Sequence, residues 1–133
     1  MRWLLFICLP WAMQAQGELQ IAPVSLDQYP SQIGVEVFDR GGVSLFKGFF
    51  SIKSVGDVVQ VPGNFPEIVA IQSYEDANGN KEMDRGFFGQ PTEKYAFSNG
   101  AWKFLGKPDL DVQLISIREN PVVRLTYKWV TEP

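Results

Sequence analysis

The sequence predicts an all-β fold, an antiparallel β-sandwich of about seven short strands with an immunoglobulin-like or transthyretin-like architecture. Two observations carry this prediction. Apolar and polar residues alternate along several short runs, which is the pattern of a strand with one face buried. Glycine, proline, asparagine and aspartate separate these runs, and the sequence contains no long run with helical spacing.

Six strands can be counted from this pattern. In the first of them, a shift of the apolar spacing at Pro23 predicts a bulge or an edge position, because proline cannot donate to a ladder. Residues 43–54 fit either a short helix or a seventh strand, since their aromatic residues have helical spacing but glycine and β-branched residues disfavour a helix. The six runs cover residues 19–26, 33–38, 58–61, 68–74, 110–117 and 123–129.

The last run has the clearest alternation. Its four large apolar residues are separated by single polar residues, so we expect all four on the buried face of one strand. They are Val123, Leu125, Tyr127 and Trp129.

The first sixteen residues have the features of a secretory signal peptide. Arg2 is positively charged, residues 3–11 are apolar, and the small residues Ala15 and Gly17 bound the expected cleavage site. Such an apolar run spans only about 14 Å as a helix, which is short of the roughly 30 Å membrane core. We therefore expect residues 17–133 to form one periplasmic or secreted domain without an integral membrane segment.

Composition and charge exclude several classes of function. The chain of 133 residues has no histidine, and its single cysteine, Cys8, lies in the expected signal peptide. This excludes histidine-dependent triads, most zinc sites and a disulfide framework. The formal net charge is −3 and the lysine and arginine residues are scattered, so no basic cluster indicates a nucleic-acid partner.

Residues 76–84 have the composition of a metal-binding loop. Oxygen-bearing side chains recur at its first, third, fifth and ninth positions, and the seventh residue would offer its backbone carbonyl, a spacing that suits Ca²⁺. The candidate ligands are Asp76, Asn78, Asn80, Glu82 and Asp84.

The same loop differs from an EF-hand in ways that weaken binding. Phe87 replaces the twelfth-position glutamate, and Lys81 replaces the sixth-position glycine. Because only Asp76 and Asp84 bring negative charge, we expect a dissociation constant on the order of 10⁻⁴ to 10⁻³ M. The alternative is a β-hairpin turn at Asn78-Gly79 that binds no ion, since turns select the same residue types.

A second stretch, residues 89–104, is rich in glycine and aromatic residues. Its aromatic side chains either plug one end of the sandwich, which we favour, or form a platform for a ligand. Glu93 fits a surface charge, an ion-pair partner or an additional oxygen for the acidic loop. The candidate ligand surface consists of Glu93, Tyr95, Phe97 and Trp102.

Three motifs resemble those of the bacterial domain of unknown function 2141 family. They are Asp-x-Asn-Gly-Asn-x-x-x-Asp from Asp76, Gly-x-Pro-x-Glu-x-Tyr-Ala-Phe-Ser-Asn from Gly89, and Gly-x-Pro from Gly106. Val61-Pro62-Gly63 resembles the family's turn before its central strand, whereas Glu75 stands where members often carry histidine. The resemblance spans about residues 20–127 and implies an exported β-sandwich with no established function.

The sequence thus predicts a non-catalytic binding or structural module of the cell envelope, with an envelope component or small ligand as its partner. Its loop from Asp76 to Asp84 either binds Ca²⁺ weakly as a cofactor or only resembles such a loop and binds none. The alternative is a small glycan-directed hydrolase that uses the acidic residues between Asp76 and Glu93, because paired carboxylates hydrolyse glycosidic bonds. No nucleophile elbow, phosphate loop or dinucleotide fingerprint in the sequence supports catalysis.

Overall fold

Two β-sheets share one apolar core, which confirms the predicted all-β sandwich. The computed structural model describes residues 16–81, 93–104, 106–129 and 131–132. The eight strands of these ranges are β1 Gln16–Val24, β2 Ser31–Asp39, β3 Ser44–Ile52, β4 Val59–Pro66, β5 Ile68–Glu75, β6 Tyr95–Phe97, β7 Ile115–Ser116 and β8 Val122–Thr126. A 3-10 turn, Ser98–Gly100, and a one-turn helix α1, Leu110–Gln113, complete the secondary structure.

The first sheet has the strand order β4-β1-β8 and the second has the order β3-β2-β5-β6, with β7 also paired to β5. All these pairs are antiparallel except β1 and β8, which run parallel. After β8 the chain crosses between the sheets, because Tyr127 donates its backbone N–H to Val24 and Lys128 pairs with Tyr95 of β6. This crossing brings the C-terminal segment beside the start of β6.

The core lies between the inward faces of the two sheets. Ile33, Val35 and Val37 of β2 face it from one side, and Val123 and Leu125 of β8 face it from the other. Each is at most 2% exposed. Burial of one such side chain contributes about 1.5–3 kcal/mol, so these alternating residues hold the sheets together.

Two sequence-based expectations near the C-terminus are wrong. Trp129 is 37% exposed rather than buried with Val123, Leu125 and Tyr127, because the chain changes partner from β1 to Tyr95 after β8 ends. The run 110–117 is a single strand in the prediction, whereas in the structure it forms α1 followed by the short β7.

The other elements follow the sequence more closely. Residues 43–54 contain the strand β3 rather than a helix. At Pro23, β1 pairs only with β8, since its pairing with β4 ends at Ile21, so the proline occupies a local edge. The bulge of this pair lies elsewhere, where the register shifts between Gly17 and Leu19.

Val61-Pro62-Gly63 forms no turn before the central strand, because all three residues lie inside β4. Between the Leu19–Val61 and Gly17–Phe65 pairs, β4 contains two more residues than β1. Gly63 lies in this irregular stretch with φ of 119°, a conformation that glycine adopts without steric cost.

Helices long and apolar enough to cross a membrane are absent from the described ranges. The expected signal peptide falls almost entirely on residues 1–15, which lie outside those ranges.

Candidate functional site

The acidic loop begins at the end of β5, between β2 and β6. Strand pairing continues there on both sides, since Asp76 N donates to Gln32 O at 2.7 Å and Glu75 N donates to Lys94 O at 2.8 Å. Side chains alternate between the two faces of a strand. Glu75 therefore points into the sandwich with the buried Ile71, whereas Asp76 lies on the outer face of the sheet.

Glu75 holds the connection between β1 and β2 in place. Its carboxylate accepts hydrogen bonds from Asp27 N at 2.6 Å, Gln28 N at 3.2 Å and Ser31 Oγ at 2.8 Å. The residue is only 1% exposed. Because three donors surround the carboxylate inside the protein, its role here is structural.

A buried hydroxyl pair lies on the same inward face. Ser73 Oγ donates to Gly34 O at 2.7 Å and lies 2.6 Å from the Tyr127 hydroxyl. Burial raises the pKa of the Tyr127 phenol well above its ordinary value, and the negative charge of Glu75 raises this pKa further. The phenol therefore remains protonated and can donate a hydrogen bond.

Asp76 organises the loop that follows β5. One oxygen, Oδ2, accepts hydrogen bonds from Lys81 N at 2.7 Å and Gln32 Nε2 at 2.8 Å. The backbone carbonyl of Asp76 accepts from Gly79 N at 3.1 Å, and Asn78 Oδ1 accepts from Asn80 N at 3.1 Å. These bonds fold the first six positions of the loop back toward Asp76.

The other carboxylate oxygen of Asp76 is different. Asp76 is 1% exposed, and its Oδ1 atom is buried without a hydrogen-bond partner. It is the only buried side-chain oxygen or nitrogen in this situation within the part of the chain that the structure describes. An unpaired buried acceptor costs about 1–3 kcal/mol, and more when it carries charge.

Glu93 lies against the same loop, two residues before β6 begins. It is 6% exposed, and its Oε2 atom accepts a hydrogen bond from Ala77 N at 3.1 Å. Asn78 and Asn80 are exposed, whereas the candidate ligands Glu82 and Asp84 lie outside the described residues. Within residues 16–81 and 93–132, apart from the few positions not described, no three acidic, cysteine or histidine residues form a metal-binding group.

The aromatic members of the candidate ligand surface pack against one another. The ring centroid of Tyr95 lies 5.2 Å from that of Phe97 and 5.0 Å from that of Trp102. Tyr95 and Phe97 are buried and Trp102 is half-buried, whereas Phe104 is 56% exposed. The Tyr95 hydroxyl and the Trp102 indole both donate to backbone carbonyls, so the polar ends of these rings are engaged within the fold.

Sequence reasoning missed the buried residues Ser98 and Gln113. Ser98 Oγ accepts from Ile71 N at 2.8 Å, and it donates to Gln113 O at 2.6 Å. The Gln113 side chain donates to Pro108 O and accepts from Gln72. Ser98 belongs to the Tyr-Ala-Phe-Ser-Asn motif, so this part of the motif connects α1 to β5. In the sequence, only the position of Ser98 directly after an apolar run indicates that it is buried.

We expect Lys81→Gly to be more stable than Lys81→Ala by about 1 kcal/mol. Lys81 has a φ of 64°, a conformation that costs residues with a Cβ atom about 1–2 kcal/mol but costs glycine little. Both variants lose the contact between Lys81 Nζ and the Phe49 ring, 5.8 Å from its centroid, so their difference isolates the backbone. Urea denaturation measures it, and equal stabilities would contradict the left-handed conformation at this position.

A family model described as an uncharacterized protein conserved in bacteria, DUF2141, matches residues 52–124. This match covers more than half of the chain and includes β5, the acidic loop and β6. Neither a curated protein nor a solved structure matches the chain.

Proposed function

The chain belongs to the DUF2141 family of uncharacterised bacterial proteins, and from this premise we propose that it is an exported, non-catalytic module of the cell envelope that binds a divalent cation at the Asp76 loop. The observation that carries this proposal is the buried Asp76 Oδ1 atom, which has no partner within the described part of the protein. Carboxylate oxygens are the preferred ligands of hard cations such as Ca²⁺.

The hydrogen bonds of the loop support the same interpretation. Gln32 and Lys81 hold the Oδ2 atom of Asp76 and thereby fix the orientation of the carboxylate. Lys81 occupies the sixth loop position, where an EF-hand has glycine for a sharp turn, and it adopts the corresponding left-handed conformation. This conformation supports the proposal because it allows the loop the sharp turn that such an ion site needs.

Export of the domain is consistent with a weak affinity of the loop for Ca²⁺. The loop has few charged ligands, and such sites in extracellular modules bind Ca²⁺ with dissociation constants on the order of 10⁻⁴ to 10⁻³ M. A signal peptide at residues 1–16 would deliver the domain to a compartment where Ca²⁺ reaches such concentrations. The partner would then be an envelope component or a small ligand.

The described carboxylates favour binding over glycoside hydrolysis. A hydrolase needs two carboxylates that face each other across a substrate-sized gap of about 5–10 Å. Glu75 points to the opposite face of the sheet from Asp76 and already accepts three hydrogen bonds. Asp76 and Glu93 are at least nine-tenths buried, which leaves little access for a glycan.

We expect Ca²⁺ to stabilise the purified protein. For a dissociation constant near 0.1 mM, about 2 mM Ca²⁺ adds ~1.8 kcal/mol to the free energy of unfolding. For a domain of this size, that stabilisation raises the Tm by several degrees. Thermal unfolding in excess chelator and in Ca²⁺, followed by tryptophan fluorescence, measures the difference.

Two carboxylate-to-amide variants make this test specific. Asp76→Asn should lose most of the calcium-induced rise in Tm, whereas Asp109→Asn, at an exposed position, should retain it. An unchanged Tm in Ca²⁺, or an equal rise in the Asp76→Asn variant, would contradict the proposed site.

A further inference from the structure

We propose that Glu93 is a second carboxylate ligand of this cation, so that the ion joins the end of β5 to the start of β6. The inference deepens the proposed function and rests on it, because it adds a ligand to the same site. It follows from the register of two strands, from the burial of both carboxylates and from the orphaned oxygen of Asp76.

The register of β5 and β6 brings the two acidic residues together. Tyr74 pairs with Tyr95, and the backbone bond from Glu75 N to Lys94 O extends this pairing by one residue. One further step along the same register places Asp76 directly opposite Glu93. The hydrogen bond from Ala77 N to Glu93 Oε2 at 3.1 Å independently places the Glu93 carboxylate at the loop.

Facing positions on antiparallel strands lie close together and on the same face of the sheet. Their Cβ atoms are about 4.5–5.5 Å apart, and like charges at such positions destabilise the pair. Asp76 is 1% exposed and Glu93 is 6% exposed, so water screens their repulsion poorly. The two groups that donate to Asp76, the Gln32 amide and the Lys81 backbone N–H, are uncharged.

A divalent cation between the two carboxylates would convert this repulsion into attraction. It would also give the unpartnered Asp76 Oδ1 atom the ligand that the described residues do not provide. Both proposed ligand side chains are carboxylates, and oxygen ligands favour a hard cation such as Ca²⁺ over a softer metal ion.

Glu93→Gln tests the inference because the amide keeps the size of the side chain and an acceptor for Ala77 N. We expect calorimetric titration with CaCl₂ to show at least about tenfold weaker binding than in the wild-type protein, since ligand charge sets the affinity of such sites. A merely structural role for Glu93 would lower the stability of this variant without this loss of affinity for Ca²⁺.

Two further variants complete the test. Glu119→Gln changes an exposed carboxylate and should leave calcium binding unchanged. Glu93→Asp keeps the charge but withdraws the carboxylate by one methylene group, so its affinity should lie between those of the wild type and Glu93→Gln. Circular dichroism of each variant establishes that it is folded.

The outcomes separate this inference from the proposed function. If the wild type binds Ca²⁺, Asp76→Asn does not, and Glu93→Gln binds as tightly as the wild type, then the cation site stands and Glu93 is not a ligand. If the wild type does not bind Ca²⁺, both proposals are wrong.

Discussion

Glu75→Ala is expected to lower the free energy of unfolding by about 3–5 kcal/mol, a large part of the stability of a typical domain. The carboxylate accepts hydrogen bonds from two backbone amides, Asp27 N and Gln28 N, and from Ser31 Oγ. Alanine removes the acceptor of all three bonds, and a hydrogen bond to a charged group contributes about 1.5–3 kcal/mol.

Urea denaturation of the Glu75→Ala variant measures this loss. Glu119→Ala is a suitable control, because this carboxylate is exposed and such substitutions usually change stability by less than about 0.5 kcal/mol. A loss below about 1 kcal/mol in the Glu75 variant would mean that water replaces the carboxylate easily and that the connection between β1 and β2 does not depend on it.

The second large effect is expected at Ser98, where alanine should cost about 2–4 kcal/mol. The Ser98 hydroxyl accepts from Ile71 N at 2.8 Å and donates to Gln113 O at 2.6 Å, and Ser98 and Gln113 are fully buried. β6 ends at Phe97, so the hydroxyl stands in for the missing strand partner of Ile71. Its removal leaves a buried donor and a buried acceptor unpaired.

Hydrogen exchange gives this prediction a local readout. The Ile71 amide should exchange faster in the Ser98→Ala variant than in the wild type, since it loses its acceptor. Ser51→Ala, at an exposed position of β3, should change neither the exchange rate nor the stability by much. Unchanged protection of the Ile71 amide in the Ser98→Ala variant would contradict the proposal that the Ser98 hydroxyl is the acceptor of this amide in place of a strand backbone.

Alternation of apolar residues predicts most of the strands because it reports which face of a strand is buried. It fails at Trp129 and at residues 110–117 for a definite reason. The exposure of Trp129 depends on the change of partner to Tyr95, and the helix α1 depends on the buried contacts of Gln113 with Pro108 and Gln72. Both are tertiary interactions that a local pattern does not contain.

At the candidate site too, some features can be predicted from neighbouring residues in the sequence, whereas others depend on tertiary contacts. Turn chemistry identifies the loop from Asp76, and a period of two separates Glu75 from Asp76 onto opposite faces. The position of Glu93 opposite Asp76 requires the register of β5 and β6, which the intervening segment does not specify. The sequence also does not reveal that Asp76 Oδ1 has no partner among the described residues, because this depends on how Gln32 and Lys81 orient the carboxylate.

A crystal structure of the protein grown with Ca²⁺ would decide whether Asp76 and Glu93 bind the same ion. We expect one ion at about 2.3–2.6 Å from Asp76 Oδ1, with an oxygen of Glu93 at a similar distance. Crystals in which Asp76 Oδ1 accepts a hydrogen bond from a protein group or a water molecule, with no ion between Asp76 and Glu93 at millimolar Ca²⁺, would contradict this expectation.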